Sequence, residues 1–267
     1  MKAGIVSVGR ELLLGYTLDT NSHWLASELT SLGLELQRIT VVDDAEGEIA
    51  QVLSQYLSWG YSLVVTTGGL GPTPDDLTLS AVAVACNRPL ELHPGALAMV
   101  EETYARLHSE GKVKMAGLSN ERRKMAVLPR GGEPLPNPVG AAPGCWLQVD
   151  GQVVLSLPGV PAELKGIFSS TARERLLRLV REKGGRVVLT REVSSGIGDE
   201  SVLTRLTRRV VDEVKGVYLK TLPTGFHQKA DVHVRVTAFG GSEDEARNRM
   251  ETAIAALERV LGEADNG

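Results

Sequence analysis

The chain has 267 residues, a formal net charge of −4 and 42% hydrophobic residues, which is typical of one large globular domain or of a large and a small one. No apolar run approaches the roughly 18 residues that span a bilayer, and the N-terminal run ending at Gly9 lacks the features of a signal peptide. Two cysteines without a Cys-x-x-Cys motif argue against a disulfide framework. We therefore expect a soluble, cytoplasmic protein that does not enter a membrane.

The first third of the sequence alternates short apolar runs with amphipathic segments, as expected of βαβ units with a parallel sheet. Strands are predicted at residues 5–8, 34–42 and 61–66, and helices at about 21–32 and 46–59. Asn21 can cap the first of these helices, and Gly33 can end it.

The middle of the chain begins with a glycine-rich turn, after which a helix is predicted from Asp75 or Asp76 through Cys86. A second apolar-periodic segment spans about residues 94–108, and residues 111–144 are predicted to be irregular. The apolar runs at 144–149 and 153–157 flank Asp150-Gly151, which predicts a hairpin that joins the sheet. Helix is predicted again over residues 161–181.

The pattern changes from residue 186 onward to strand, helix (199–211), strand (217–222), strand (231–238) and helix (243–261). We therefore predict a three-layer α/β domain with a mostly parallel sheet over residues 1–183, and a small α+β domain over 184–267. The second segment has twelve bases, thirteen acids and no Gly-x-x-Gly loop with basic flanks. Nucleic-acid binding is not expected.

The sequence VVTTGGLGPTPDDLT at residues 64–78 places Gly68, Gly69 and Gly71 after a predicted parallel strand and before a helix. Open α/β sheets bind ligands at this edge. Glycines let backbone N–H groups approach a phosphate, and a helix N-terminus favours an anion. The pattern matches neither Walker A nor Gly-x-Gly-x-x-Gly, and an ordinary tight turn capped by Asp75 or Asp76 is the alternative.

Charge near this loop is mainly negative, since residues 1–76 hold ten acids and three bases. Residues 112–130 hold six bases and one acid, and Lys124 or Arg123 could neutralise a phosphate there, or the segment could be a solvated loop. Five histidines fit no catalytic or metal-binding order and are predicted to be surface or core residues. They are His23, His93, His108, His227 and His233.

Six ordered motifs resemble the MoaB/Mog-like molybdopterin-binding fold and, within it, the N-terminal domain of the competence/damage-inducible CinA proteins. They are residues 9–15 (GRELLLG), 19–21 (DTN), 41–44 (VVDD), 68–78 (GGLGPTPDDLT), 137–144 (NPVGAAPG) and 157–163 (LPGVPAE). The C-terminal part resembles the small KH-like domain of the same proteins. Arg10 departs from the small polar residue usual before the glutamate, and the deamidase domain of full-length CinA is missing, so deamidation is not expected.

The resemblance implies two functional carboxylates, which match Asp44 and Asp76, with Asp43 and Asp75 as register alternatives. Carboxylates beside a phosphate repel it unless a divalent cation lies between them, so Asp44 and Asp76 are predicted ligands of Mg²⁺, Mn²⁺ or Co²⁺. The alternative for Asp44 is a helix N-cap. Glu11 is a third candidate for the catalytic group.

Further ligand contacts are predicted from their position at the strand ends or in the motifs. Asp19 and Asn21 could line the crevice or serve only as caps, and the proline-rich segments could serve only for turn packing. The complete set of predicted ligand-binding residues is Gly68, Gly69, Gly71, Thr73, Asp75, Asp19, Asn21, Asn137, Gly140, Gly144, Pro158, Gly159 and Lys124.

The CinA resemblance implies a metal-dependent pyrophosphatase that converts ADP-ribose to AMP and ribose 5-phosphate, needs no organic cofactor and forms a homodimer. The same fold also implies a second function, binding or adenylylation of molybdopterin. A non-catalytic nucleotide-binding module is the third hypothesis, because a fold alone does not determine a function.

Overall fold

The computed structural model describes residues 1–222 and 232–265. The chain forms two compact units, one made of Met1–Leu29 with Leu34–Leu179, and the other of Thr30–Gly33 with the described part of Val180–Gly267. Within the described residues, no helix combines the length and the apolar character needed to cross a bilayer.

Residues 1–182 form eight strands and eight α-helices, with the last four strands following one another without a helix between them. The strands are β1 (Lys2–Val8), β2 (Glu35–Val42), β3 (Leu63–Thr67), β4 (Leu90–Leu92), β5 (Val127–Pro129), β6 (Gly132–Leu135), β7 (Gly144–Val149) and β8 (Gln152–Leu157). The helices are α1 (Arg10–Leu13), α2 (Thr20–Ser31), α3 (Glu46–Ser58), α4 (Thr78–Ala85), α5 (Pro94–Ser109), α6 (Asn120–Lys124), α7 (Pro161–Ile167) and α8 (Arg173–Glu182). A π-helical turn at Phe168–Ala172 joins α7 to α8.

The central sheet has the strand order β2-β1-β3-β8-β7-β6. Strands β2, β1, β3 and β8 are parallel to one another, and β7 is antiparallel to both of its neighbours. Every residue of β3 is buried, as expected of a central parallel strand with helices on both faces. The prediction of a mostly parallel α/β sheet is confirmed.

The two faces of the sheet carry different helices. Val6, Val64 and Val154 pack into one cluster with residues of α3 and α4, including Leu53 and Val82. The opposite face of β1 meets α2, where the Ser7 hydroxyl bonds to Asp19, just before that helix, and to Ser22 within it. Helix α2 in turn contacts the π-helical turn through the Trp24 and Phe168 rings, whose centroids are 5.2 Å apart.

The hairpin between β7 and β8 forms as predicted. Asp150 and Gly151 adopt φ values of 48° and 79°, the left-handed pair that a two-residue type I′ turn requires. The turn places β7 beside β8, so an antiparallel edge is added to the parallel part of the sheet.

Three local predictions differ from the structure. Helix α2 begins at Thr20 rather than after an Asn21 cap, because Asp19 accepts a hydrogen bond from the Ser22 amide. Helix α4 begins at Thr78, two residues after Asp76. Residues 111–144 contain α6, β5 and β6 instead of irregular chain only, since elements of three to five residues are too short to show periodicity.

The smaller unit contains β9 (Val187–Ser194), α9 (Glu200–Glu213), β10 (Val217–Leu222), β11 (His233–Gly240) and α10 (Glu243–Asp265). Its antiparallel sheet has the order β10-β11-β9, and Val234 and Val236 of β11 pack with Leu203 and Leu257 of the two helices. This is the predicted order of α+β elements. Part of the predicted strand 231–238 and His227 lie outside the described residues.

Candidate functional site

A cleft of about 680 Å³ lies at the carboxyl ends of the parallel strands. Its wall includes Glu11 after β1, Asp44 after β2, residues 68–71 after β3 and residues 158–161 after β8. Parallel strands bring the loops that follow them to one edge of the sheet. Loops that are far apart in the sequence therefore form one concave surface.

The glycine loop follows a path that only glycine tolerates. Gly68 and Gly69 have φ values of 104° and 66°, and a Cβ on them would lie 2.2 Å from the Val8 carbonyl oxygen and 2.3 Å from Thr78 Oγ1. The Thr78 hydroxyl donates to the Gly68 carbonyl at 2.7 Å. The glycines are therefore required by the protein's own packing.

Asp75 and Asp76 both line the cleft and are held by Thr73. Asp76 Oδ2 accepts hydrogen bonds from the Thr73 amide at 2.7 Å and the Thr73 hydroxyl at 2.6 Å, and the same hydroxyl contacts Asp75. The Thr73 hydroxyl, the Asp75 amide and the charge of Lys124 lower the pKa of Asp75. A Cβ on Gly71 would lie 2.7 Å from Asp76 Oδ2, so this glycine makes room for the carboxylate.

Asp44, rather than Asp43, lines the cleft. Its Oδ2 accepts a hydrogen bond from the Arg10 amide at 2.8 Å, while Asp43 forms an ion pair with the Arg10 guanidinium at 2.9 Å. The N-cap position of α3 is Ala45, without a side-chain bond. Asp44 is therefore not a helix cap, and Arg10 binds both aspartates.

A side pocket of about 90 Å³ adjoins the cleft, with Glu11 and Gly159 in the wall of both. Asp19 lines the pocket, but its two oxygens accept hydrogen bonds from the Ser22 amide at 2.9 Å and the Ser7 hydroxyl at 2.7 Å. Asp19 therefore caps α2.

Asn21 is the second residue of α2 and lines the same side pocket. Its amide nitrogen donates to Thr67 Oγ1 at 3.0 Å and to the Gly159 carbonyl at 2.7 Å, which ties the ends of β3 and β8 to the helix. Its Oδ1 is buried and has no hydrogen-bond partner in the described part of the protein. A buried acceptor without a partner is uncommon in folded proteins.

Asn137 lies beside a separate pocket of about 310 Å³ and is not in the cleft wall. Its amide donates to the Ala142 carbonyl at 2.8 Å and to Glu163 at 2.6 Å, and its Oδ1 accepts from the Gly140 amide. These bonds close the loop at residues 137–142 and tie it to Glu163 of α7, and both Ala142 and Glu163 line the cleft. Gly144 is a buried residue of β7, and neither it nor Gly140 lines the cleft.

The basic side chains of residues 112–130 do not line the cleft. Lys124 donates to the Thr73 carbonyl and lines an adjoining pocket that includes Asp76. Arg122 bonds to the carbonyls of Met115 and Gly117, and Arg130 pairs with Glu91. Among the described residues that line the cleft there is no Lys, Arg or His.

The cleft has an apolar wall that the sequence did not reveal. It contains Leu70, Tyr104, Met125 and Ala142, which belong to or pack against one buried cluster. Tyr104 and Met125 fall outside the six motifs, and only the helical periodicity of residues 94–108 pointed to Tyr104. Glu163 completes the acidic lining from the first turn of α7.

The acidic lining provides hard oxygen donors for a divalent cation. Among the described residues, no three His, Cys, Asp or Glu side chains converge closely enough to hold a metal ion by themselves. Mg²⁺ commonly takes only one or two carboxylates and completes its coordination with water and substrate phosphates. Asp44 and Asp76 on one cleft fit that type of site.

The chain is an α/β protein with a cleft at the sheet edge, lined by a glycine loop and acidic side chains. A family model described as "Probable molybdopterin binding domain" matches residues 4–178. The chain belongs to that family.

Individual relatives agree with this assignment. A protein of Aeropyrum pernix is 43% identical over 260 residues, which cover 97% of this chain and 92% of the relative. Protein PAE0875 of Pyrobaculum aerophilum is 40% identical over 261 residues, covering 97% and 94%. The crystal structure of a CinA protein of unknown function from Thermoplasma acidophilum matches with a TM-score of 0.59 and 36% identity, covering 65% of this chain and 98% of that one. The resemblance to CinA and to the molybdopterin-binding domain is confirmed.

Proposed function

We propose that this protein is a divalent-cation-dependent hydrolase of the diphosphate bond in nucleoside diphosphate sugars, with ADP-ribose as the first substrate to test. The observation that supports this function best is the composition of the cleft. The cleft wall combines the loop at residues 68–71 with five acidic side chains, and its described residues include no Lys, Arg or His. The five are Glu11, Asp44, Asp75, Asp76 and Glu163.

A diphosphate can approach so many carboxylates only when a cation accompanies it, because like charges at close range repel strongly in a partly desolvated cleft. Asp44 and Asp76 are the proposed protein ligands of Mg²⁺, Mn²⁺ or Co²⁺. When bound, such an ion would screen the diphosphate and act as a Lewis acid on it.

The chain's own groups would position the substrate. Gly68 already donates its amide to the Leu157 carbonyl, so we expect the amides further along the loop, at Gly69 to Gly71, to meet the phosphate oxygens. The Arg10 amide holds Asp44, and Thr73 holds Asp76. Glu11 is exposed between the cleft and the side pocket, where it could accept the proton of an attacking water.

Hydrolysis adds one water across the phosphoanhydride. The water oxygen bonds to one phosphorus, the bond from that phosphorus to the bridging oxygen breaks, and the other phosphate leaves. The products from ADP-ribose are AMP and ribose 5-phosphate.

The test is release of AMP from ADP-ribose with Mg²⁺, Mn²⁺ or Co²⁺ by the purified wild type, Asp44→Asn and Asp76→Asn. We expect each variant to lose about 100-fold or more in kcat/KM, the effect typical of removing one electrostatic catalytic group. Asp150→Asn is the control, because this exposed residue has φ 48°, a conformation that Asn tolerates well. Turnover that continues in both variants, or without a divalent cation, would contradict the proposal.

The second candidate is binding or adenylylation of molybdopterin, which the family match over residues 4–178 favours. Incubation with ATP, Mg²⁺ and molybdopterin would then yield pyrophosphate and an adenylylated pterin, with little AMP from ADP-ribose. If neither reaction occurs while nucleotide still binds, the chain is a binding module.

A further inference from the structure

We propose that the two ends of the cleft recognise different parts of the ligand, so that its planar heterocycle lies against Tyr104 and Met125 while its hydroxyl-bearing end enters the side pocket at Asn21. This assignment rests on the proposed function, because it describes how a nucleoside diphosphate sugar would be oriented in the same cleft. It adds Tyr104 and Met125 as specificity-determining residues.

The apolar end contains an aromatic ring, Tyr104, that packs against its neighbours. The Tyr104 ring carries the Arg122 guanidinium 3.8 Å from its centroid, and Arg122 is held by the Met115 carbonyl at 2.8 Å. Tyr104 is half-buried and lines the cleft together with Met125. A fixed aromatic ring with thioether and aliphatic neighbours suits stacking of a base or another flat heterocycle.

The polar end offers a hydrogen-bond acceptor. Asn21 is 9% exposed, and its Oδ1 has no partner among the described residues. Because its amide nitrogen is engaged by Thr67 and Gly159, the oxygen is held in one orientation. The side pocket of about 90 Å³ has room for a small group, and a sugar hydroxyl would supply the missing donor.

The glycine loop connects the two ends. A Cβ on Gly159, whose carbonyl bonds to Asn21, would lie 3.3 Å from the Gly68 Cα. Leu70, two residues after Gly68 in the same loop, belongs to the buried cluster that includes Met125. A phosphate on this loop therefore lies between the polar and the apolar ends, which is the order of groups in a base–diphosphate–sugar ligand.

The two hydrolysis products provide the test, because each carries one end of the ligand. Calorimetry with Mn²⁺ would measure AMP and ribose 5-phosphate separately on wild type, Tyr104→Ala and Asn21→Ala. We expect Tyr104→Ala to weaken the binding of AMP about tenfold, the range of a lost stacking contact, and to leave the binding of ribose 5-phosphate unchanged. Asn21→Ala should weaken the binding of ribose 5-phosphate about fivefold, as for one lost hydrogen bond, and leave the binding of AMP unchanged.

Controls separate recognition from folding. Tyr104→Phe keeps the ring and should restore AMP affinity, and Tyr218→Ala, an exposed tyrosine that does not line the cleft, should change neither product. Because Asn21→Ala also removes two bonds of the amide nitrogen, 2-deoxyribose 5-phosphate is compared with ribose 5-phosphate on wild type. Weaker binding of a deoxy sugar supports the side-pocket assignment, and equal binding overturns it.

The outcomes distinguish this orientation from the proposed function. The opposite dependence, with Tyr104→Ala affecting ribose 5-phosphate and Asn21→Ala affecting AMP, overturns the orientation while the hydrolase stands. Equal sensitivity of both products to both variants also overturns it. If wild type binds neither product and releases no AMP from ADP-ribose, the proposed function fails, and the orientation fails with it.

Discussion

Replacing Gly69 by alanine perturbs the glycine loop where it packs against the Thr78 side chain. Gly69 has φ 66°, and alanine in this left-handed region costs about 1 kcal/mol or slightly more. The new Cβ would lie 2.3 Å from Thr78 Oγ1, so Thr78 must move and give up its bond to the Gly68 carbonyl, at a cost of about 1 kcal/mol. The free energy of unfolding should therefore fall by about 2–3 kcal/mol.

The matched control is Gly60→Ala. Gly60 has φ 73°, but a Cβ there meets nothing within 4 Å. In this variant the free energy of unfolding should fall only by the cost of placing alanine in the left-handed region, about 1 kcal/mol. Urea unfolding followed by circular dichroism measures both, and AMP-dependent stabilisation should be lost in Gly69→Ala alone. Equal destabilisation of the two variants, or full AMP binding by Gly69→Ala, would refute the assigned packing and role of the loop.

Two other predictions concern the buried thiols and the loop at residues 137–142. Burial raises the pKa of Cys86 to about 11 and that of Cys145 to about 12, from 9.0. The thiols of the unfolded chain therefore lose their protons at lower pH than those of the folded protein. The free energy of unfolding should fall as the pH rises from about 9 towards 11. The urea midpoints measured at about pH 8 and about pH 10 should differ less in Cys145→Ala than in the wild type. The same difference in both proteins would contradict this assignment. Asn137→Ala, which loses bonds to Ala142 and Glu163, should destabilise the protein by about 2 kcal/mol and raise KM more than it lowers kcat. A loss of kcat as large as that of Asp76→Asn would contradict a positioning role.

The larger elements could be predicted because their patterns are local. Helix α3 buries Ile49, Leu53 and Tyr56 at helical spacing, and the five residues of β3 form a continuous buried run. Asp150-Gly151 defines its turn by backbone preference alone. The motifs also placed Asp44, Asp76 and the glycines at strand ends, so the edge of the sheet at which the cleft lies could be predicted.

The local roles of the site residues required tertiary partners. Asp19 and Asn21 are both suitable N-caps, and the choice between them depends on Ser7 and Thr67, which lie on different strands. Similarly, Asp76 did not start α4, because Thr73 binds its carboxylate. Sequence spacing cannot show which of two neighbouring polar groups a distant residue will bind.

The apolar wall was missed for a related reason. Tyr104 and Met125 look like ordinary core residues in their own segments, and they come together with Leu70 and Ala142 only when four distant segments fold. Lys124 was assigned to the phosphate from its charge, but it donates to the Thr73 carbonyl instead. Charge indicates which partners attract a side chain, and the fold decides which of them it reaches.

The central claim, that the glycine loop holds an anion while Asp44 and Asp76 hold its cation, is tested most directly by crystals soaked with AMP and Mn²⁺. The anomalous signal of Mn²⁺ should lie within coordination distance, about 2.0–2.2 Å, of an Asp44 or Asp76 oxygen, with the phosphate on the amides of residues 69–71. A phosphate bound elsewhere, with no manganese at either aspartate, would contradict this account.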